Sequence, residues 1–138
     1  MFAMAPRTAE GVHTAARVIA EAFQELDFPA ATHPFSTPVT YYSRAFIVGI
    51  VVPTWRDPAK NAAMRALYER CLDKIAEQGM GTYRTNLAFQ DHAVSKYSFN
   101  DNALLKFQEK LKDSIDPNGI ISPGRYGIWP ANMRNNRG

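Results

Sequence analysis

Cysteine is nearly absent: Cys71 is the one thiol in 138 residues, which excludes an internal disulfide framework and a cysteine-ligated zinc site. Histidine is almost as sparse. His13, His33 and His92 fall where no two share a helical face, so no metal centre is expected. No stretch reaches the roughly 18 consecutive apolar residues that a membrane helix needs; the longest run covers residues 45–53. Residues 1–6 offer no charged leader followed by an apolar core, and Arg7 passes at once into polar sequence, so a soluble product is expected. Its expected location is the cytoplasm, with the periplasm as the alternative. A Ser-His-Asp order, a phosphate loop with Lys-Ser/Thr and a Gly-x-Gly-x-x-Gly fingerprint are all missing, leaving hydrolase, kinase and pyridine-nucleotide readings without an anchor.

Excess charge is absent from most of the chain as well. Up to Gly119 thirteen basic residues face thirteen acidic ones, and the net +3 comes entirely from Arg125, Arg134 and Arg137. Such a tail suits an anionic ligand, a nucleic acid or plain solvation, and neither nucleic acid nor membrane is expected as a partner. A charged fraction of 21% beside 8 Gly and 9 Pro is too ordinary for disorder or a fibrous repeat. At about 150 residues per domain, the length allows one domain.

What is present reads as alternating helices and strands. Thr8 caps a helix predicted over residues 8–26, with Val12, Ala16, Ile19, Phe23 and Leu26 at spacings of three and four. Pro29, Pro34 and Pro38 are expected to forbid regular structure in the connection that follows. Residues 41–52 are rich in β-branched and aromatic types and predict a buried strand. Asp57-Pro58 opens a second helix whose stripe is Ala63, Leu67, Cys71 and Ile75, with Gly79 and Gly81 as its stop. On that stripe Cys71 reads as a small buried hydrophobe. Residues 82–89 alternate as a strand, Tyr83, Thr85, Leu87 and Phe89 on one side and Arg84, Asn86 and Ala88 on the other. Asp101 or Asn102 caps a third helix with Leu104, Leu105, Gln108, Leu111 and Ile115 as its buried face, ended by Asp116-Pro117-Asn118-Gly119. The order implies an α+β fold with helices packed on a small antiparallel sheet. A ferredoxin-like arrangement would need a further strand before the first helix, and that strand is expected to be missing.

Two segments are more specific than this background: Gly81-Thr82-Tyr83-Arg84-Thr85-Asn86 and Asp116-Pro117-Asn118-Gly119-Ile120-Ile121-Ser122-Pro123-Gly124-Arg125-Tyr126-Gly127-Ile128-Trp129-Pro130. Together they resemble the C-terminal part of the vanillyl-alcohol oxidase and 4-cresol dehydrogenase type of FAD-linked oxidoreductases. Those proteins carry a tyrosine-arginine strand, a helix and a DPNGI-x-xPG-[KR]-x-GIWP segment. The likeness extends over nearly the whole chain, with residues 31–40 as a local insertion. It implies a partial, ferredoxin-like cap domain over residues 1–115 and a flavin-contacting segment over residues 116–138.

The resemblance also implies chemistry: oxidation of a para-substituted phenol at its benzylic carbon, with hydride passing to FAD and a quinone methide left behind. Tyr83 and Arg84 match the family's pair and are implied as catalytic and substrate-binding residues, because the phenol must be held as phenolate. An arginine stays protonated and a tyrosine hydroxyl donates a hydrogen bond. Arg84, Arg125 and Asn86 are implied as cofactor-binding residues, and Phe46 and Val48 as a border of the substrate cavity. One physical condition attaches to the pair. Neighbours on a regular strand point to opposite faces, so Tyr83 and Arg84 share a cavity only across a twist or bulge, which nearby Gly81 makes feasible.

Full-length members place an FAD-binding domain, a carboxylate near the reacting flavin atom and any covalent flavin tether upstream of this region. The implied partners are therefore a phenolic substrate and a missing N-terminal FAD-binding domain, with room for a homo-oligomer and a cytochrome electron acceptor. Two other readings stay open: a free-standing, non-catalytic ferredoxin-like module, and a piece of an FAD-linked 2-hydroxy acid oxidase.

Overall fold

A computed structural model describes residues 1–28, 35–41, 44–50 and 55–136 of the chain, which divides into two compact units, Met1–Thr85 and Asn86–Gly138. The first unit runs β1 (Phe2–Pro6), α1 (Ala9–Glu25), β2 (Phe35–Tyr41), β3 (Ala45–Gly49), α2 (Pro58–Glu77) and β4 (Gly81–Arg84). Its sheet has the order β2-β3-β1-β4 with every neighbouring pair antiparallel.

The strand expected to be missing is present. Phe2–Pro6 takes the central position, paired with β3 on one side and β4 on the other. A run of Phe-Ala-Met-Ala-Pro lacks β-branched residues, so its strand character comes from pairing on both edges and not from propensity. Its two alanines are small enough for helices to close over them, and Ala3 and Ala5 are 0% and 1% exposed. Gly11 in the first turn of α1 serves the same closeness, since a Cβ there would stand 2.6 Å from the Pro6 carbonyl oxygen.

The strand predicted over residues 41–52 is also corrected. Tyr41 ends β2, and Ala45–Gly49 forms β3, antiparallel to it; Val51 and Val52 lie outside the described residues. The prolines do not exclude a strand from the preceding connection either. Pro38 lies in β2, which is the edge of the sheet, and the register is irregular between Thr37 and Tyr41. An edge strand with a broken ladder tolerates a residue without an N–H.

The helix signals hold at their ends. Thr8 Oγ1 accepts from Gly11 N at 3.0 Å, and Asp57 Oδ1 accepts from Ala59 N at 2.9 Å. The buried stripes are turned from those expected. In α1 the buried set is Gly11, Ala15, Val18, Ile19, Ala22 and Phe23, so Val12, Ala16 and Leu26 stand off the core. In α2 Met64, Leu67, Tyr68, Cys71, Leu72 and Ile75 are buried and Ala63 is exposed. Outside the core, Glu25 pairs with Arg70 at 2.6 Å and Lys74 at 2.6 Å, tying α1 to α2.

In the second unit, the strand predicted over residues 82–89 has already stopped at Arg84. Asn86 caps a 3-10 turn (Leu87–Phe89), which leads into α3 (Gln90–Ser95). Helix α4 (Phe99–Ile115) opens with Asn100, Asp101 and Asn102 all at positive φ, so the cap expected at residues 101–102 falls on a left-handed turn. Its predicted buried face is not buried in this unit. Leu104, Leu111 and Ile115 are exposed, and Leu105 and Gln108 are intermediate. Two further 3-10 turns, Arg125–Gly127 and Ala131–Asn136, close the chain.

Candidate functional site

The Tyr83–Arg84 pair sits at an irregularity of the sheet. Ala3 is opposite Thr82 and Phe2 is opposite Arg84, so two residues of β1 face three of β4 and Tyr83 is the extra one. This is the bulge that the pair requires if both side chains are to project together. The Arg84 guanidinium carbon lies 5.1 Å from the centre of the Tyr83 ring, a cation–π contact that places the two groups side by side. Thr82 and Thr85 bracket the pair, and their hydroxyl oxygens are hydrogen-bonded at 2.9 Å.

Register then assigns faces. Cross-strand partners share a face of the sheet, so Phe2, Gly49 and Arg84 lie together, with Met4 and Ile47 paired further along. The opposite face carries Ala3, Ala5, Phe46 and Val48 and is the one the helices cover. Phe46 and Val48, expected to border the substrate, therefore turn away from Arg84. Val48 is 0% exposed and packs the core, and Phe46 is half-buried opposite Ala5. Phe2 and Met4 were not foreseen on that face because β1 was not expected, and Ile47, inside the strand predicted over residues 41–52, could not be given a face without it. The small-large alternation of residues 2–5 is the signal that could have found them.

In the second unit the long motif is mainly a self-packed scaffold. Asp116, 5% exposed, accepts from the backbone N–H of Ile120 at 2.8 Å and of Ile121 at 2.9 Å, and pairs with Lys112 at 2.6 Å. The hydrogen bond from Lys112, aided by those two N–H groups, holds its carboxyl below the usual aspartate range. Gly124 adopts φ +78° under the Trp129 ring, where a Cβ would meet Cζ2 at 2.4 Å. Trp129 Nε1 donates to Asp91 Oδ1 at 2.8 Å, and Tyr126 N donates to Gln90 Oε1 at 2.6 Å. Gln90 is 3% exposed, so α3 is the seat on which the motif rests.

What this scaffold leaves outward is Arg125 beside Tyr126, the guanidinium carbon 5.3 Å from the ring centre. Asn86 is exposed too. Its Oδ1 is committed to Ala88 N at 3.0 Å, which leaves the amide hydrogens to donate. Tyr83 and Arg84 belong to one unit and Asn86 and Arg125 to the other. Among the described residues no carboxylate pairs with Arg84 or Arg125. A cleft along α4, lined by Lys106, Glu109, Lys110, Asp113 and Arg134, differs in this respect: Asp113 already holds Arg134 at 2.6 Å. No group of three or more metal-ligating side chains occurs among the described residues, and no described helix is long and apolar enough to cross a membrane.

The first unit thus offers Arg84 beside the Tyr83 ring and the second offers Arg125 beside the Tyr126 ring with the Asn86 carboxamide, and among the described residues neither arginine pairs with a carboxylate. Guanidinium and phenol donors suit the anionic oxygens of a phenolate, a flavin or a pyrophosphate. In that chemical sense the donors of each unit, taken by itself, fit an anionic oxygen of FAD or of a phenolic ligand.

No protein-family model matches the chain. The 4-cresol dehydrogenase [hydroxylating] flavoprotein subunit of Pseudomonas putida is 32% identical over 72 residues, covering 52% of this chain and 13% of that protein. A 1'-carboxy-chondrochloren decarboxylase of Chondromyces crocatus is 27% identical over 132 residues, 91% of this chain and 22% of the relative. Among solved structures, 4-ethylphenol oxidase from Gulosibacter chungangensis matches 97% of this chain and 25% of its own with a TM-score of 0.75 at 22% identity. The p-cresol methylhydroxylase structure with substrate bound matches 94% and 24%, also with a TM-score of 0.75, at 19% identity. The chain therefore spans a quarter or less of the length of each of these relatives.

Proposed function

We propose that the chain is the C-terminal part of a vanillyl-alcohol oxidase and 4-cresol dehydrogenase type of flavoprotein and forms the phenol-binding wall of an FAD-dependent oxidoreductase, a reading supported by its likeness to the 4-cresol dehydrogenase subunit. Its substrates in this reading are 4-alkylphenols or 4-hydroxybenzylic alcohols. The single observation that carries it is the bulged Tyr83–Arg84 pair, two donors on one side of the sheet with no carboxylate among the described residues on the arginine. The β-α-β-β-α-β order with strands arranged β2-β3-β1-β4 supports a ferredoxin-like cap.

The roles follow from charge. A phenol of ordinary pKa near 10 is neutral at pH 7, yet loss of hydride from the benzylic carbon is easy only when the ring oxygen can push electron density inward. Arg84, permanently charged, favours the phenolate, and the Tyr83 hydroxyl donates to the same oxygen. When bound, FAD supplies the acceptor for the hydride. The anionic substrate loses H⁻ and becomes a neutral quinone methide, to which water adds at the benzylic carbon. Phe2, Met4 and Ile47, on the face of Arg84, give the substrate ring an apolar wall.

Arg125 and Asn86 are assigned to flavin or pyrophosphate oxygens, with residues 116–138 as the flavin-contacting segment. The partial coverage of every relative supports a separate FAD-binding domain as partner. The word subunit in the name of the Pseudomonas relative supports a second protein as electron acceptor, for which we propose a cytochrome. A homo-oligomer and a cytoplasmic location, with the periplasm as alternative, complete the reading. The wider match to a decarboxylase carries a second one, in which Arg84 pairs with a substrate carboxylate.

Turnover of 4-ethylphenol by the FAD-loaded protein tests these assignments. Arg84→Ala is expected to lower kcat/KM by about 10²–10³, the size of losing one preorganised donor, and Tyr83→Phe by less. Unchanged turnover in both variants overturns the site, and preference for a carboxylated substrate selects the second reading.

A further inference from the structure

We propose that Thr82 and Thr85 are positioning residues: their hydroxyl pair is a clasp that holds Tyr83 and Arg84 on one side of the sheet. The inference rests on the phenolate site described above, but its geometry stands apart from it. Along a regular strand each residue advances about 3.3 Å, so residues three apart would be separated by about 10 Å. The Thr82 and Thr85 hydroxyl oxygens are 2.9 Å apart. Even with both side chains reaching toward each other, the segment is therefore shorter than a regular strand, and the bond joins its two ends across the pair.

The register shows what the closure does. Thr82 still pairs with Ala3, and Arg84 has already moved to Phe2, so Tyr83 is pushed out of the ladder. Without the extra residue, Tyr83 and Arg84 would point to opposite faces. With it, the guanidinium comes to 5.1 Å from the ring centre. Threonine suits the task because its β-branch stiffens χ1 and so presents the hydroxyl in one direction. Both residues are half-buried, where a hydroxyl bond competes less with water.

The test compares the 138-residue chain with Thr82→Val, Thr85→Val, the double variant and Thr85→Ser by NMR. A side chain over a tyrosine face has its protons shifted upfield, so the Arg84 Hδ resonances report the pair directly. Both valine variants are expected to move those resonances toward random-coil positions. The double variant should move them at least as far as either single one. Thr85→Ser should keep the wild-type shift, and unmoved Trp55 and Trp129 indole signals show that the fold persists.

Resonances unchanged in both valine variants, or lost equally in Thr85→Ser, overturn the clasp. Titration of the FAD-loaded protein, complete with its FAD-binding partner domain, with 4-ethylphenol then separates the two ideas. The valine variants should bind about fivefold more weakly, the loss expected for one net hydrogen bond. If wild type binds no para-alkylphenol while its Arg84 shift still depends on the hydroxyls, the clasp stands and the phenol reading fails.

Discussion

In Met1–Thr85 the large apolar side chains go inward, with Ile19, Leu67, Leu72 and Ile75 at 2% exposure or less. In Asn86–Gly138, by contrast, helix α4 has no buried residue and Leu104, Phe107 and Ile115 are 62%, 65% and 67% exposed. The first unit is organised by burial, a force without direction that scales with apolar area. The second is organised by directed bonds. Asp116 gathers Ile120, Ile121 and Lys112, Asp91 holds Trp129, Gln90 holds Tyr126, and Asp113 holds Arg134. One sequence thus contains a conventional core and a polar-stitched motif that displays its apolar helix face.

The sharpest way to break this contrast is to truncate one leucine in each unit. Leu67→Ala is expected to destabilise by about 2–5 kcal/mol, as for a fully buried leucine, whereas Leu104→Ala should change stability by less than about 0.5 kcal/mol. Urea unfolding measures both, and equal losses would show that α4 is as buried as α2. Next in size is Gly124→Ala, which strains a left-handed residue and drives a methyl into Trp129. A loss above about 1 kcal/mol is expected, together with a change in tryptophan fluorescence, because the ring must leave its seat.

The displayed face makes a third, smaller effect. Exposed patches of this kind promote association, so the 138-residue chain should self-associate in light scattering, and Leu104→Glu with Leu111→Glu should reduce it. A monodisperse wild type would contradict the exposure of α4. Smallest is the acid response, where the two units should behave alike. Arg70 and Lys74 hold Glu25 at about 2 instead of 4.5, and Lys112 with two N–H groups lowers Asp116. A depressed carboxyl contributes stability that is complete above its unfolded pKa and lost as pH falls through the folded one. Melting temperature should therefore drop below about pH 4.5, and less steeply in Glu25→Gln.

Legibility followed the range of the interactions. Thr8, Asp57-Pro58 and the turn at Asp116 act on neighbours two to five residues away, and the helix boundaries they predict stand in the structure. Facing was less legible, because α1 and α2 each carry apolar residues around more than one stripe and only the partner element selects one. For α4 the stripe is real, but exposure in the structure is not a property of the stripe. Of the proposed site residues, Tyr83 and Arg84 in the first unit and Asn86 and Arg125 in the second could be singled out from local sequence. Phe2, Met4 and Ile47, which share a face of the sheet with Arg84, could not, since strand pairing alone puts them there.

By itself, the sequence determined α1 and α2 with their caps, the turn at Asp116 and the family likeness, all of which depend on residue types at short, fixed spacings. Tertiary structure alone decided that Phe2–Pro6 is a central strand, that Phe46 and Val48 face the core, and that Tyr83 bulges to bring Arg84 beside it. The reason is that side chains in a sheet alternate with a period of two, so a one-residue shift in register exchanges the two faces. That register is set by a partner strand about eighty residues away in sequence, at Phe2 opposite Arg84.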